Sequence, residues 1–234
     1  VGADVSAGPG EDPATQLVEE IAARGEQLRA LVASQARRPV RVVAVTKGHP
    51  VEVARAVLDA GFRDLGENYA QELLAKAPAL VEEDPEWHFI GRLQSNKVRQ
   101  LAPVVGLWQS VDRASLVDEL ARRVPGARVL VQVDLAGLAG RGGCARGDAE
   151  ALVERAAAAG LAVEGLMGVG VPGPPEASRE GFRWLRTEAD RLGLVEASMG
   201  MSGDLEVALS EGATMVRVGS ALVGERPPPR AGLG

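Results

Sequence analysis

The chain has 234 residues, of which 46% are apolar, 25% charged and 3% aromatic, and 26 Lys+Arg stand against 32 Asp+Glu for a net charge of −6. At about 150 residues per domain this allows one large domain or two small ones, with enough chain to bury a core without disulfides or metals. No Lys/Arg block marks a nucleic-acid face, no run of about 18 apolar residues spans a membrane, and the opening Val1-Gly2-Ala3-Asp4 lacks the basic and apolar regions of a signal peptide. The single cysteine, Cys144, cannot form an internal disulfide and fits a reducing cytoplasm.

Residues 1–12 read as a disordered N-terminus and 225–234, with Pro227-Pro228-Pro229, as a flexible tail; residues 13–224 contain no long linker and read as one domain. Leu17, Ile21, Leu28, Leu31 and Val32 share a helical stripe, which predicts an amphipathic helix over 13–35. Short Val- and Leu-rich runs follow at 41–46, 62–66, 87–90, 107–111, 128–134, 162–169, 195–200 and 214–219. Helical segments lie between them near 50–60, 68–82, 95–102, 113–123, 147–159, 176–192 and 203–211, and a last short helix follows Ser220. Eight strands alternating with helices imply a parallel α/β sheet, and in a chain near the typical length of about 250 residues the expected form is a single (β/α)₈ TIM barrel with an extra N-terminal helix.

Alternation within the strands orients the polar residues. In Val129-Leu130-Val131-Gln132-Val133-Asp134 the valines share one face, and in Met215-Val216-Arg217-Val218-Gly219 they do so again. Valines packed outward on helices turn Asp134 and Arg217 toward the barrel interior near its C-terminal mouth, where active sites of this fold lie. Arg217 then has two readings: a buried ion pair with Asp134, or a partner for a ligand. Lys47, in Val45-Thr46-Lys47-Gly48, ends the first strand on the face of Val43 and Val45. It is either a solvated strand-end lysine or an amine shielded enough to form a Schiff base with a carbonyl. The turns Met199-Gly200-Met201-Ser202-Gly203-Asp204 and Val218-Gly219-Ser220-Ala221 follow the last two strands, where phosphate sites recur on such barrels; ordinary turn glycines and serine N-caps are the alternative. A Schiff-base lysine, a phosphate cradle and an arginine between them suggest pyridoxal phosphate. Arginine only donates, so it would leave the cofactor's ring nitrogen unprotonated and the electron sink weak.

Five segments occur in order: Val45-Thr46-Lys47, Phe62-Arg63-Asp64-Leu65-Gly66-Glu67-Asn68-Tyr69, Trp87-His88-Phe89-Ile90-Gly91-Arg92-Leu93-Gln94-Ser95-Asn96-Lys97, Met199-Gly200-Met201-Ser202-Gly203-Asp204 and Met215-Val216-Arg217-Val218-Gly219. Together they resemble the pyridoxal phosphate homeostasis protein family, over about Val40 to Gly224. The resemblance implies a barrel like the N-terminal domain of bacterial alanine racemase without that enzyme's second domain. It implies that Lys47 holds pyridoxal 5'-phosphate as an internal aldimine, that Ser202, Gly219 and Ser220 bind the phosphate, that Arg217 faces the ring nitrogen and that Asn68 belongs to the pocket. It further implies binding and homeostasis of the cofactor without established catalysis, hence a carrier or buffer that serves apo-enzymes. Three positions depart from the family's pattern. Thr46 stands where serine is common and Ser220 where threonine is common, each keeping a hydroxyl, and Gly140-Arg141-Gly142-Gly143-Cys144 replaces a Ser-Lys-x-Gly turn.

Other signals are set aside. Gly168-Val169-Gly170-Val171-Pro172-Gly173 spells a dinucleotide fingerprint, but Pro174-Pro175 delay the helix and Glu188, twenty residues on, falls inside a helix. Two histidines and one cysteine are too few for a usual zinc site, and His88 is expected as a hydrogen-bonded core residue. Cys144 has no adjacent histidine to activate it. Arg37-Arg38 and Arg122-Arg123 read as solvated helix ends. The rival function is an amino-acid racemase, which needs two acid/base groups; Lys47 is one, and Tyr69, the only tyrosine, is not in an obvious catalytic loop. Without the racemase's second domain, the expected state is a monomer.

Overall fold

In a computed structural model, residues 12–137 and 142–225 are described. The expected frayed start (1–11), the Pro-rich tail from Arg226 and Gly140-Arg141 lie outside them. Eight parallel strands close into a barrel in sequence order: β1 (Arg41–Val45), β2 (Asp64–Glu67), β3 (Glu86–Phe89), β4 (Val105–Val111), β5 (Arg128–Val133), β6 (Ala162–Gly168), β7 (Glu196–Ser198) and β8 (Met215–Val218), with β8 paired back to β1. Around them run α1 (Pro13–Gln35), α2 (Val51–Asp59), α3 (Ala70–Lys76), α4 (Val98–Leu101), α5 (Ala114–Arg123), α6 (Ala149–Ala158), α7 (Arg179–Arg191), α8 (Leu205–Ser210) and α9 (Ser220–Val223). All eight expected strands form, so the single (β/α)₈ barrel with a leading helix is the observed fold.

The period-2 pattern sorts the side chains into two layers. Val129, Val131, Val133, Val216 and Val218 join the large outer core between strands and helices. Val43, Leu107, Leu130, Met167 and Met215 fill the barrel's interior. The leading helix α1 buries Ile21, Gly25 and Leu28 and packs on α2, α8 and α9. Its N-cap is Asp12, whose carboxylate accepts from the Ala14 N–H at 3.3 Å.

Several elements are shorter than the pattern predicts, for local reasons. The helix expected over 68–82 is α-helical only to Lys76 and continues as a 3₁₀ turn over Ala77–Leu80, because Pro78 has no N–H to give. The strand expected to reach 200 stops at Ser198, since Gly200 takes φ +93° to start the turn toward α8. The Gly168–Gly173 stretch leads into a 3₁₀ turn over Pro175–Ser178 before α7 begins, so no helix N-terminus meets its glycines.

Candidate functional site

The C-terminal mouth holds a cavity of about 610 Å³, and Lys47, Asn68, Ser202, Arg217, Gly219 and Ser220 all line it. Each reaches it by its place on the barrel. Lys47 lies two residues beyond β1 and is half-buried, on the side of Val45. Asn68 follows β2, and its main chain is pressed against Gly91, where a Cβ would collide with the Asn68 carbonyl. That close approach accounts for the glycine after Ile90. Asn68 Oδ1 is buried and has no hydrogen-bond partner among the described residues, a polar atom left for a ligand to satisfy.

The last two βα loops form the opposite wall. Ser202 Oγ accepts from the Ala221 N–H at 3.3 Å, tying the loop after β7 to the start of α9. Asp204 shapes the first loop by accepting from the Met201 N–H at 2.7 Å and from Ser178 Oγ at 3.3 Å. The helices that follow have only six and four residues, so hydroxyls and backbone amides, rather than long helix dipoles, are what this wall offers to the cavity.

Arg217 is 3% exposed and rises from β8 to the floor of the cavity. Its Nη2 donates to the Gly168 carbonyl at 2.8 Å and its Nη1 to Ser198 Oγ at 2.7 Å. Burial pulls its pKa down to about 10, opposed by the nearby Asp204 carboxylate, so it remains a cation at neutral pH. Ser198 Oγ donates in turn to Gln109 Oε1 at 2.7 Å, and Gln109 Nε2 lies 2.7 Å from His88 Nδ1. Gln109 Nε2 also donates to the Met215 sulfur at 3.0 Å, which sets the orientation of the amide. His88 Nδ1 therefore accepts, and Nε2 carries the proton toward Asp64 Oδ1 at 2.9 Å. The result is a chain of hydrogen bonds through the barrel interior, from the Arg217 cation to the Asp64 carboxylate at the far end. His88 is the expected core histidine.

The suggested Asp134–Arg217 ion pair does not form. Asp134 Oδ1 instead accepts from the Ala136 and Gly137 N–H groups at 3.0 Å each, closing its own turn. Asp134 does not line the cavity, and the amides of its own turn lie closer than Arg217. Arg122 and Arg123 are likewise not simply solvated: both pair with Glu119 on their own helix. Cys144 returns its loop to β5, donating its N–H to the Gln132 carbonyl and accepting from the Asp134 N–H, each at 2.9 Å. Burial pushes its thiol up to about 11, which suits a structural residue. His49, buried beside the cavity, and Glu225 at its rim also line it. His49 sits two residues after Lys47, and that spacing was the only signal for it; Glu225 carried none. Tyr69 is 55% exposed and lines a neighbouring cavity of about 670 Å³ instead. Among the described residues no three His, Cys, Asp or Glu side chains gather as a metal site, and no helix is long and apolar enough to cross a membrane.

A (β/α)₈ barrel with this mouth belongs to the alanine racemase class: residues 18–227 match the family described as alanine racemase, N-terminal domain. The alanine racemase of Corynebacterium glutamicum superposes with a TM-score of 0.70 at 20% identity, covering 93% of this chain and 63% of the enzyme, a likeness of fold. A protein of Pseudomonas aeruginosa named pyridoxal phosphate homeostasis protein is 38% identical over 90% of this chain and 96% of its own. PipY of Synechococcus elongatus, solved with PLP bound, superposes with a TM-score of 0.78 at 34% identity over 87% of this chain and all of PipY. The chain belongs to the pyridoxal phosphate homeostasis protein family.

Proposed function

We propose that this protein binds pyridoxal 5'-phosphate in the mouth cavity, links it covalently to Lys47, and serves pyridoxal phosphate homeostasis in the cytoplasm as a monomeric carrier or buffer. The observation that carries the reading is the buried, positively charged Arg217 at the floor of a cavity that also holds Lys47 and two hydroxyl-bearing loops. When bound, the cofactor supplies an aldehyde, a phosphate and an aromatic ring able to draw electrons. Lys47 provides the amine for the aldehyde, Ser202, Ser220 and the Gly219 backbone receive the phosphate, and the unsatisfied Asn68 Oδ1 receives a polar contact. The cavity volume suits a ligand of that size. The name of the Pseudomonas relative and PLP in the PipY structure support the same ligand.

Arg217 also argues for holding over turning over. A guanidinium donates and has no acceptor, so it leaves the ring nitrogen without a proton and the electron draw weak. A racemase needs a second acid/base group across from the lysine; Tyr69 lines the neighbouring cavity, and His49 and Glu225 are the titratable groups that line this one beside Lys47. One free thiol, Cys144, accords with a reducing compartment. The experiment is to mix the loaded protein with an apo-enzyme that needs the cofactor, and separately with amino acids in deuterated water. Saturable activation of the apo-enzyme with negligible α-hydrogen exchange is expected. Robust exchange makes the protein an enzyme, and no transfer from a loaded protein removes the carrier role.

A further inference from the structure

Four polar side chains are packed against the outside of the barrel directly behind Lys47. Glu67, the last residue of β2, is fully buried, and its Oε1 accepts from Thr46 Oγ1 at 2.7 Å and from Lys76 Nζ at 2.6 Å. Lys76, the last residue of α3, is 5% exposed and donates also to the Thr46 carbonyl at 2.8 Å. One helical turn earlier, Glu72 Oε2 accepts the Gly48 N–H at 2.7 Å and lies 3.8 Å from Lys76 Nζ. The residue before Lys47 is thus tied to α3 through its carbonyl and to Glu67 of β2 through its hydroxyl, and the residue after Lys47 is tied to α3 through its amide.

Packing alone does not call for these charges. A buried ion pair is commonly no better for stability than apolar residues of the same volume, and here Glu67 Oε2 has no partner among the described residues. What the cluster supplies is direction, at two main-chain groups that flank one residue. We propose that Thr46, Glu67, Lys76 and Glu72 are positioning residues for Lys47: α3 clamps the main chain at 46 and 48, and so fixes where the Lys47 side chain enters the cavity. This rests on the reading that Lys47 carries the cofactor. It gives Glu67 of the Gly66-Glu67-Asn68-Tyr69 segment a task of its own, since Glu67 faces α3 while Asn68 faces the cavity. The hydroxyl at 46 also gains a reason, as the donor to Glu67.

The test compares wild type with Thr46→Val, Glu72→Ala and Thr46→Ser. For each, the rate at which pyridoxal phosphate becomes borohydride-trappable on Lys47 is measured beside the affinity for pyridoxine 5'-phosphate, whose alcohol cannot bond to an amine. Thr46→Val and Glu72→Ala should slow the covalent step by about tenfold or more, the scale of a displaced reacting group, while the affinity for pyridoxine phosphate stays within about twofold. Thr46→Ser should keep the wild-type rate. In the unloaded protein, the Gly48 amide should exchange with solvent faster in Glu72→Ala. Unchanged trapping rates in both Thr46→Val and Glu72→Ala overturn the clamp, and so does an equal loss of covalent rate and pyridoxine phosphate affinity, which marks general loosening. No trapping in wild type removes the assignment of Lys47 itself and the clamp with it.

Discussion

Arg217 and Lys47 line the same cavity and are anchored in opposite ways. Arg217 is held from inside the barrel, by its side chain, through a chain of hydrogen bonds: Ser198, Gln109 and His88. Lys47 is flanked from outside the barrel by charged groups that grip the main chain at Thr46 and Gly48. The difference follows from what each must do. A permanent charge works by standing still, and fixing its head group makes it a better donor. In the proposed function Lys47 forms and releases a covalent bond, and a fixed main chain on both sides of it fixes where that amine starts.

The largest effect should come from cutting the interior chain at its middle. Gln109→Leu keeps the volume but leaves His88 Nδ1 without a donor and the Ser198 O–H without an acceptor, at a cost of about 3 kcal/mol in unfolding free energy by urea denaturation. A loss near zero would mean that the chain carries no energy. Ser198→Ala removes one link and should cost about 1 kcal/mol, while weakening pyridoxine phosphate binding because Arg217 loses a fixed contact. Equal binding in wild type and Ser198→Ala would separate Arg217 from the ligand.

Cys144 marks the part of the mouth that belongs to neither anchor. With its thiol near 11, alkylation by iodoacetamide at pH 8 should lag an ordinary free thiol by on the order of 100-fold; rapid labelling would make it a reactive residue. The smallest effect separates the clamp from the surface in acid. Glu211 is held below the usual carboxylate range by its hydrogen bond from Arg183, then by Arg179. The stability it adds is present above its ordinary pKa and is lost as pH falls through the lowered one. Glu67 is pushed up by burial, against the pull of Lys76, so its contribution is present at low pH and is lost as pH rises through the raised value. Urea unfolding across the acid range should show Glu211→Gln losing part of the acid-side slope and Glu67→Gln steepening it; matching curves for both variants would contradict these signs.

Much of this was legible because the barrel repeats one rule. Alternating valines in the fifth and eighth strands reveal which face meets the helices, and Arg217 then falls inward by parity; Lys47 shares its face with the inward Val43 and Val45, and its place at the end of the first strand puts it at the mouth. Ser202, Gly219 and Ser220 follow from the position of the last two loops. The supports were not legible. Gln109 points inward two residues after the inward Leu107, but its partners His88 and Ser198 come from other strands, which its own strand's pattern does not reveal. Glu67 and Lys76 meet across a strand and a helix, a pairing that no spacing along the chain encodes. Asp134 does not reach the cavity, because its carboxylate is captured by the amides of its own turn, and a local hydrogen bond costs less ordering than a distant ion pair.

The most direct measurement is the visible absorbance of the purified protein with added pyridoxal phosphate, before and after borohydride, in wild type and Lys47→Ala. Wild type should show a band that borohydride fixes onto the peptide containing Lys47, and Lys47→Ala should lack it. No band, or an equal band in Lys47→Ala, would contradict the assignment of the cofactor to this lysine.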